Sequence, residues 1–134
     1  MYPDGYGQRV LVVDDDTDIR ALLSVLLTDE GYNVFEAGDG LEAVQELQKR
    51  HFEVVISDYR MPQLDGMQLF TMCQLLWPET AVVLVSGEDS SWVELAIRRG
   101  VHAWVKKPYG RIELVTSVRR AIEKLSARTV SHEV

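Results

Sequence analysis

The sequence predicts a doubly wound α/β domain built on a five-stranded parallel sheet, and two observations predict it. Short β-rich apolar runs alternate with helical periodicity five times along the 134 residues. Four of those runs also end in residues able to handle a phosphoryl group or a hard cation. They are Leu11-Val12-Val13 into Asp14-Asp15-Asp16, Val54-Val55-Ile56 into Ser57-Asp58, Val82-Val83-Leu84-Val85 into Ser86, and Val101-His102-Ala103-Trp104-Val105 into Lys106-Lys107-Pro108. In an open parallel sheet the ligand site lies beyond the carboxyl ends of the strands, so these groups are expected to meet at one edge.

Each element has its own local reason. After a polar, glycine-rich lead, Arg9 to Val13 reads as a buried strand. Asp16 or Thr17 can cap a helix whose apolar residues Ile19, Leu22, Leu23 and Leu26 fall at helical spacing, and Gly31 stops it. Asn33 to Ala37 is the second strand. Beyond the Gly38-Asp39-Gly40 turn, Leu41, Val44 and Leu47 mark the second helix, and Phe52 to Ser57 the third strand. A loop from Asp58 to Asp65 leads into a helix from Gly66 to Trp77, with Leu69, Met72, Cys73 and Leu76 at helical spacing and Pro78 closing it. Thr80 to Val85 is the fourth strand, Ser90 to Arg99 a helix and Val101 to Val105 the fifth strand. The last helix runs from Arg111 to Ser126, with Val115, Val118, Ile122 and Leu125 on one face. Right-handed crossovers then place helices on both faces of the sheet.

Composition narrows the function classes. A chain of this length with 46% hydrophobic residues suits one core, expected over residues 8–126, with 127–134 as a tail or linker stub. Lys and Arg number 14 against 21 Asp and Glu, and the net charge of −7 opposes binding to nucleic acid or an anionic membrane. No apolar run approaches the roughly 18 to 20 residues of a membrane span. Residues 1–7 lack the basic and apolar regions of a signal peptide, so a cytoplasmic location is expected. Cys73, the single cysteine, falls on an apolar helical stripe and reads as a buried thiol; His51, His102 and His132 show no ligand spacing.

A carboxylate can attack phosphorus once the anion it approaches is neutralised. Asp58 is the candidate nucleophile. Mg²⁺, which takes oxygen ligands, is the expected neutralising ion, with Asp14 and Asp15 placed to hold it. Lys107 would supply a fixed cation and Ser86 a hydroxyl. Singly, each of these is an ordinary loop residue; their joint placement at strand ends singles them out. Asp16 reads as a helix cap instead of a ligand. Spacing alone does not separate Lys106 from Lys107.

Together the acidic group after Val12-Val13, the segment Ser57-Asp58-Tyr59-Arg60-Met61-Pro62 with Asp65-Gly66, the Val85-Ser86-Gly87-Glu88 step and Lys107-Pro108-Tyr109 resemble the receiver domain of two-component response regulators. The strand order expected for such a domain is 2-1-3-4-5, the flavodoxin-like arrangement. The resemblance implies that Asp58 accepts a phosphoryl group from a histidine of a sensor histidine kinase or histidine phosphotransfer protein. It implies that Asp14, Asp15, Asp58 and the backbone carbonyl of Arg60 hold Mg²⁺. Ser86 matches the hydroxyl position, Lys107 the family's lysine, and the bond from Lys107 to Pro108 is implied to be cis. Gly66 matches the glycine after the loop.

Trp104 stands where the family usually carries Tyr or Phe as an aromatic switch coupled to Ser86, and its bulkier ring has a second reading as a partner-surface residue. Arg60 and Glu88, opposite in charge near the site mouth, are expected to gate it. The family's output surface is the fourth helix, fifth strand and fifth helix; Trp92, Leu95 and Trp104 are the residues expected there, in a homodimer or partner contact. Val93, Ala96 and Ile97 form the expected inward stripe of that fourth helix. One alternative is a haloacid-dehalogenase-type phosphatase with Asp14 as nucleophile and Asp16 as acid, which leaves Asp58 unexplained. Another is a receiver that binds partners without phosphorylation. The Asp58-to-Pro62 wording also resembles receivers attached to larger output modules.

Overall fold

The computed structural model describes residues 7–87 and 91–133. Its elements alternate as β1 (Arg9–Val13), α1 (Thr17–Asp29), β2 (Asn33–Ala37), α2 (Gly40–Lys49), β3 (Val54–Asp58), α3 (Gly66–Leu76), β4 (Ala81–Ser86), α4 (Ser91–Arg98), β5 (Ala103–Lys106) and α5 (Arg111–Glu133). All neighbouring strands are parallel, in the order β2-β1-β3-β4-β5. That is the predicted doubly wound sheet.

Alternation along the strands sorts the apolar side chains into two cores. Leu11, Val13, Val55, Val82 and Leu84 join Ala43 and Leu47 of α2, Leu69, Phe70 and Cys73 of α3 and Ala96 of α4. Val10, Val12, Val54, Ile56, Val83 and Val105 face Leu23 and Leu27 of α1 and Leu114, Val118 and Ala121 of α5. β3 and β4, covered on both faces, carry no polar side chain until their carboxyl ends, which is why the run Val-Val-Leu-Val of β4 is continuous. Each large aliphatic chain buried this way contributes roughly 1.5–3 kcal/mol. Cys73 is buried among them, and that burial pushes its thiol up to about 12.

Several predicted positions shift. β3, β4 and β5 each start and finish later than apolar content alone predicted. Phe52 and Val101 are buried without belonging to the ladder, which starts at Val10↔Val54 for β3 and at Val83↔Ala103 for β5. Val101 bonds through its N–H to Ala96 O (3.1 Å), so it finishes the α4 turn instead of opening the strand. The strands therefore include Asp58, Ser86 and Lys106 as their last residues. On the helices, Leu22, Leu41, Leu76 and Ile97 are exposed; Leu27, Ala43 and Phe70 take inward positions, and Ala96 is inward as expected. A helix tolerates several apolar phases in its sequence, and contact with the sheet selects one. α5 continues past Ser126 to Glu133 because that stretch, although aperiodic, contains no Gly or Pro to stop it.

Candidate functional site

At the end of β1 the chain turns sharply through Asp14-Asp15-Asp16. The Asp16 N–H donates to Asp14 Oδ1 (2.9 Å), and the Asp16 carboxylate caps α1 by accepting from the N–H groups of Asp18 (2.9 Å) and Ile19 (3.3 Å). Asp16 is thus occupied as the predicted cap, leaving Asp14 and Asp15 for the edge of the sheet. Asp58 arrives on the adjacent strand β3. One carboxylate oxygen from each of Asp14, Asp15 and Asp58 lies within 4.8 Å of the others.

β5 brings the cation. Lys107 Nζ lies 3.5 Å from Asp58 Oδ1, and Lys106, which spacing did not separate from it, is exposed. The Lys107-Pro108 bond is cis, as the resemblance implied, and the Lys107 N–H donates to Ser86 O at 2.9 Å. Ser86, at the end of β4, is buried and pairs in register with Lys106. Gly66 closes the loop behind Asp58: a Cβ there would come within 2.8 Å of Asp58 O and 2.9 Å of Tyr59 Cα, so α3 can start this close to the site only from glycine. Asp65 and Gln68 form a capping box that starts α3 there.

The electrostatics are those of concentrated negative charge. Burial raises the Asp58 carboxyl above its ordinary value; Lys107 and the Arg60 backbone N–H pull it down, and Asp15 adds to the rise. Burial likewise raises Asp14, against the Asp16 N–H and with the charge of Asp58. Tyr109 is raised by burial and then by Asp14 and Asp58, so its hydroxyl feels the same negative field. Three carboxylates against one ammonium leave two negative charges, the charge of one divalent cation. An all-oxygen donor set of this kind fits a hard ion such as Mg²⁺.

Some expectations meet the structure only in part. Glu88 of the proposed gate and the side chain of Trp92 lie outside the described residues. Leu95 is 44% exposed as expected, whereas Ile97, expected inward, is 61% exposed. Trp104 is half-buried and packs against the core cluster that contains Leu84. Sequence reasoning gave no role to Arg20 or Gln63. Arg20 Nη1 donates to the Asp14 carbonyl at 2.6 Å. Gln63 has φ of 70° at the centre of a turn closed by the Leu64 N–H on Pro62 O (2.8 Å).

Residues 10–119 match the family described as the response regulator receiver domain. The chain belongs to that family. A receiver domain is a signalling phosphoacceptor and not a classical enzyme, and the phosphatase alternative is not favoured. Among curated relatives, the transcriptional regulatory protein GlrR of Escherichia coli is 35% identical over 122 residues, covering 90% of this chain and 28% of that protein. The nitrogen assimilation regulatory protein NtrX of Azorhizobium caulinodans is 33% identical, covering 93% and 28%. The chain therefore spans less than a third of the length of either. Among solved structures, the chemotaxis protein CheY4 of Vibrio cholerae superposes with a TM-score of 0.78 at 32% identity, over 86% of this chain and 98% of that one. A receiver domain protein from Clostridium thermocellum gives 0.83 at 26% identity, over 90% and 98%. Receivers bind Mg²⁺ at an acidic pocket, and the three aspartates supply one here. No helix among the described residues is long and apolar enough to cross a membrane.

Proposed function

We propose that Asp58 is the phosphoacceptor of this receiver and that Asp14, Asp15, Asp58 and the Arg60 carbonyl hold Mg²⁺. The observation that carries the reading is the position of Asp58, which shares its surroundings with two other carboxylates and one lysine. The ion would supply the positive charge that lets one anion approach another. An Asp58 oxygen attacks the phosphorus of a phosphohistidine, the P–N bond breaks as the P–O bond forms, and the imidazole leaves with its electron pair and takes up a proton. Lys107 and Ser86 orient the phosphoryl oxygens. Burial favours the neutral carboxyl, so Lys107 also helps keep Asp58 ionised and nucleophilic.

A sensor histidine kinase or histidine phosphotransfer protein is the donor this chemistry requires. The response passes to the surface of α4, β5 and α5 through Ser86 and the half-buried Trp104, and there controls an effector or a homodimer. Leu95 and Ile97 supply exposed apolar area on α4. Incubation with a small-molecule phosphodonor and Mg²⁺, followed by peptide mapping of the acyl phosphate, tests the assignment. Label on Asp58, lost in Asp58→Asn and without Mg²⁺, is the expected result; label on Asp14 overturns it.

A further inference from the structure

Arg20 holds none of the roles above, yet it touches the metal turn. It lies one turn into α1, with its side chain 18% exposed. Its Nη1 donates to the backbone carbonyl of Asp14 at 2.6 Å, while its Nε pairs with Glu36 Oε1 on β2 at 3.3 Å. Ser24, one turn further along α1, donates its hydroxyl to the other oxygen of Glu36 at 3.0 Å. The guanidinium is therefore anchored on two sides, and so is the carboxylate that anchors it. A Cβ on Gly38 would stand 3.5 Å from Arg20 Nη1, so the guanidinium packs over bare backbone there.

The bond to Asp14 acts beyond Asp14. That carbonyl belongs to a planar peptide unit whose other end is the Asp15 nitrogen, so fixing the direction of the carbonyl fixes the plane from which Asp15 departs. Asp14 is already restrained elsewhere: its N–H donates to Ala37 O (3.2 Å) and its carboxylate accepts from the Asp16 N–H. Asp15 is exposed, and the backbone beneath it sets the direction in which its side chain leaves the chain.

We propose that Arg20 is a positioning residue for the divalent cation, holding the Asp14–Asp15 peptide so that the Asp15 carboxylate stays within reach of Asp14 and Asp58. Glu36 and Ser24 keep the guanidinium in that pose. The inference rests on reading the three aspartates as Mg²⁺ ligands. A purely structural pin between α1 and β2 would change the stability of the metal-free chain and leave cation affinity alone. A positioning residue changes affinity, as groups that orient ligands do elsewhere.

Titrating the full chain with MgCl₂ and following backbone amide NMR shifts separates the two. Arg20→Met is expected to raise the Mg²⁺ Kd by roughly 10-fold. Arg20→Lys is expected to fall between Met and the unmodified chain, because one ammonium does not reproduce the fork that spans the carbonyl and Glu36. Glu36→Gln should weaken binding in the same direction and by less. An Arg20→Met variant that melts lower without Mg²⁺ yet binds it within about twofold of the unmodified chain overturns the inference, since oriented ligands move affinity by more than that. Should Arg20→Met fail to fold, unchanged affinities in both Arg20→Lys and Glu36→Gln overturn it equally. Absence of Mg²⁺ binding in the unmodified chain overturns the cation-site reading itself, a different result from unequal variants on a working site.

Discussion

At the amino-terminal edge of the sheet, Thr80 donates its hydroxyl to Phe52 O at 2.8 Å, Arg9 Nη1 reaches His51 O at 3.3 Å and Asn33 N–H bonds to Gln8 O at 2.8 Å. At the carboxyl edge of the same strands, three carboxylates crowd within 4.8 Å and burial raises two of them. One edge matches donor to acceptor; the other concentrates like charge around a single ammonium. The difference teaches where stability has been given up for chemistry, because a polar group partly withdrawn from water costs free energy unless it is paired.

The two edges are expected to differ most in cation binding. Asp15→Asn, which removes a ligand charge from the carboxyl edge, should raise the Mg²⁺ Kd by roughly 10-fold or more, measured by NMR titration. An unchanged Kd would remove Asp15 from the ligand set. Next in size is the opposite edge. Thr80→Val leaves the Phe52 carbonyl short of its donor and should cost about 1–3 kcal/mol in urea denaturation, with Mg²⁺ affinity untouched. A loss of Mg²⁺ affinity in Thr80→Val would show that the two edges are not independent.

The pH dependence at the carboxyl edge has the opposite sign to that of a paired acid. Asp14 and Asp58 bind protons more tightly folded than unfolded. Their contribution to stability is complete below the unfolded carboxylate range and is lost as pH rises through their raised folded values. At neutral pH without a cation the pair lowers stability. Asp58→Asn should therefore raise the melting temperature of the metal-free chain by about 3 °C at neutral pH. The gain should shrink on acidification and on adding Mg²⁺; a variant that melts lower at neutral pH would contradict the sign. The smallest effect is expected in the loop beside the site. Gln63→Gly relieves a left-handed backbone at the centre of its turn and should stabilise by about 1 kcal/mol, less what the freer unfolded chain gains. Denaturation midpoints decide it.

Much of this was legible in the residues. Short apolar runs alternating with helical segments identified all five strands; in β3 and β4, buried on both faces, the runs are continuous Val, Ile and Leu. Asp16 was legible as a cap because its short acceptor precedes a helical pattern. Leu22, Leu41 and Leu76 marked their helices by spacing yet lie exposed, and Ile97, expected inward, does too, because helical spacing admits more than one inward face and only the sheet chooses. Spacing alone did not separate Lys106 from Lys107; the family resemblance pointed to Lys107, and its ammonium is the one that lies beside Asp58. Arg20 carried no signal at all, because its partners come from the β1 turn and from β2.

By itself the sequence determined the alternation of elements, the strand ends that carry carboxylate, hydroxyl and lysine, and the family to which they point. These depend on local periodicity and on which residue follows each apolar run, both written linearly in the chain. Tertiary structure alone decided the distances among Asp14, Asp15, Asp58 and Lys107, the raised carboxyls and the Arg20 anchor. Those depend on strand register and burial, which exist only once segments far apart in sequence lie side by side.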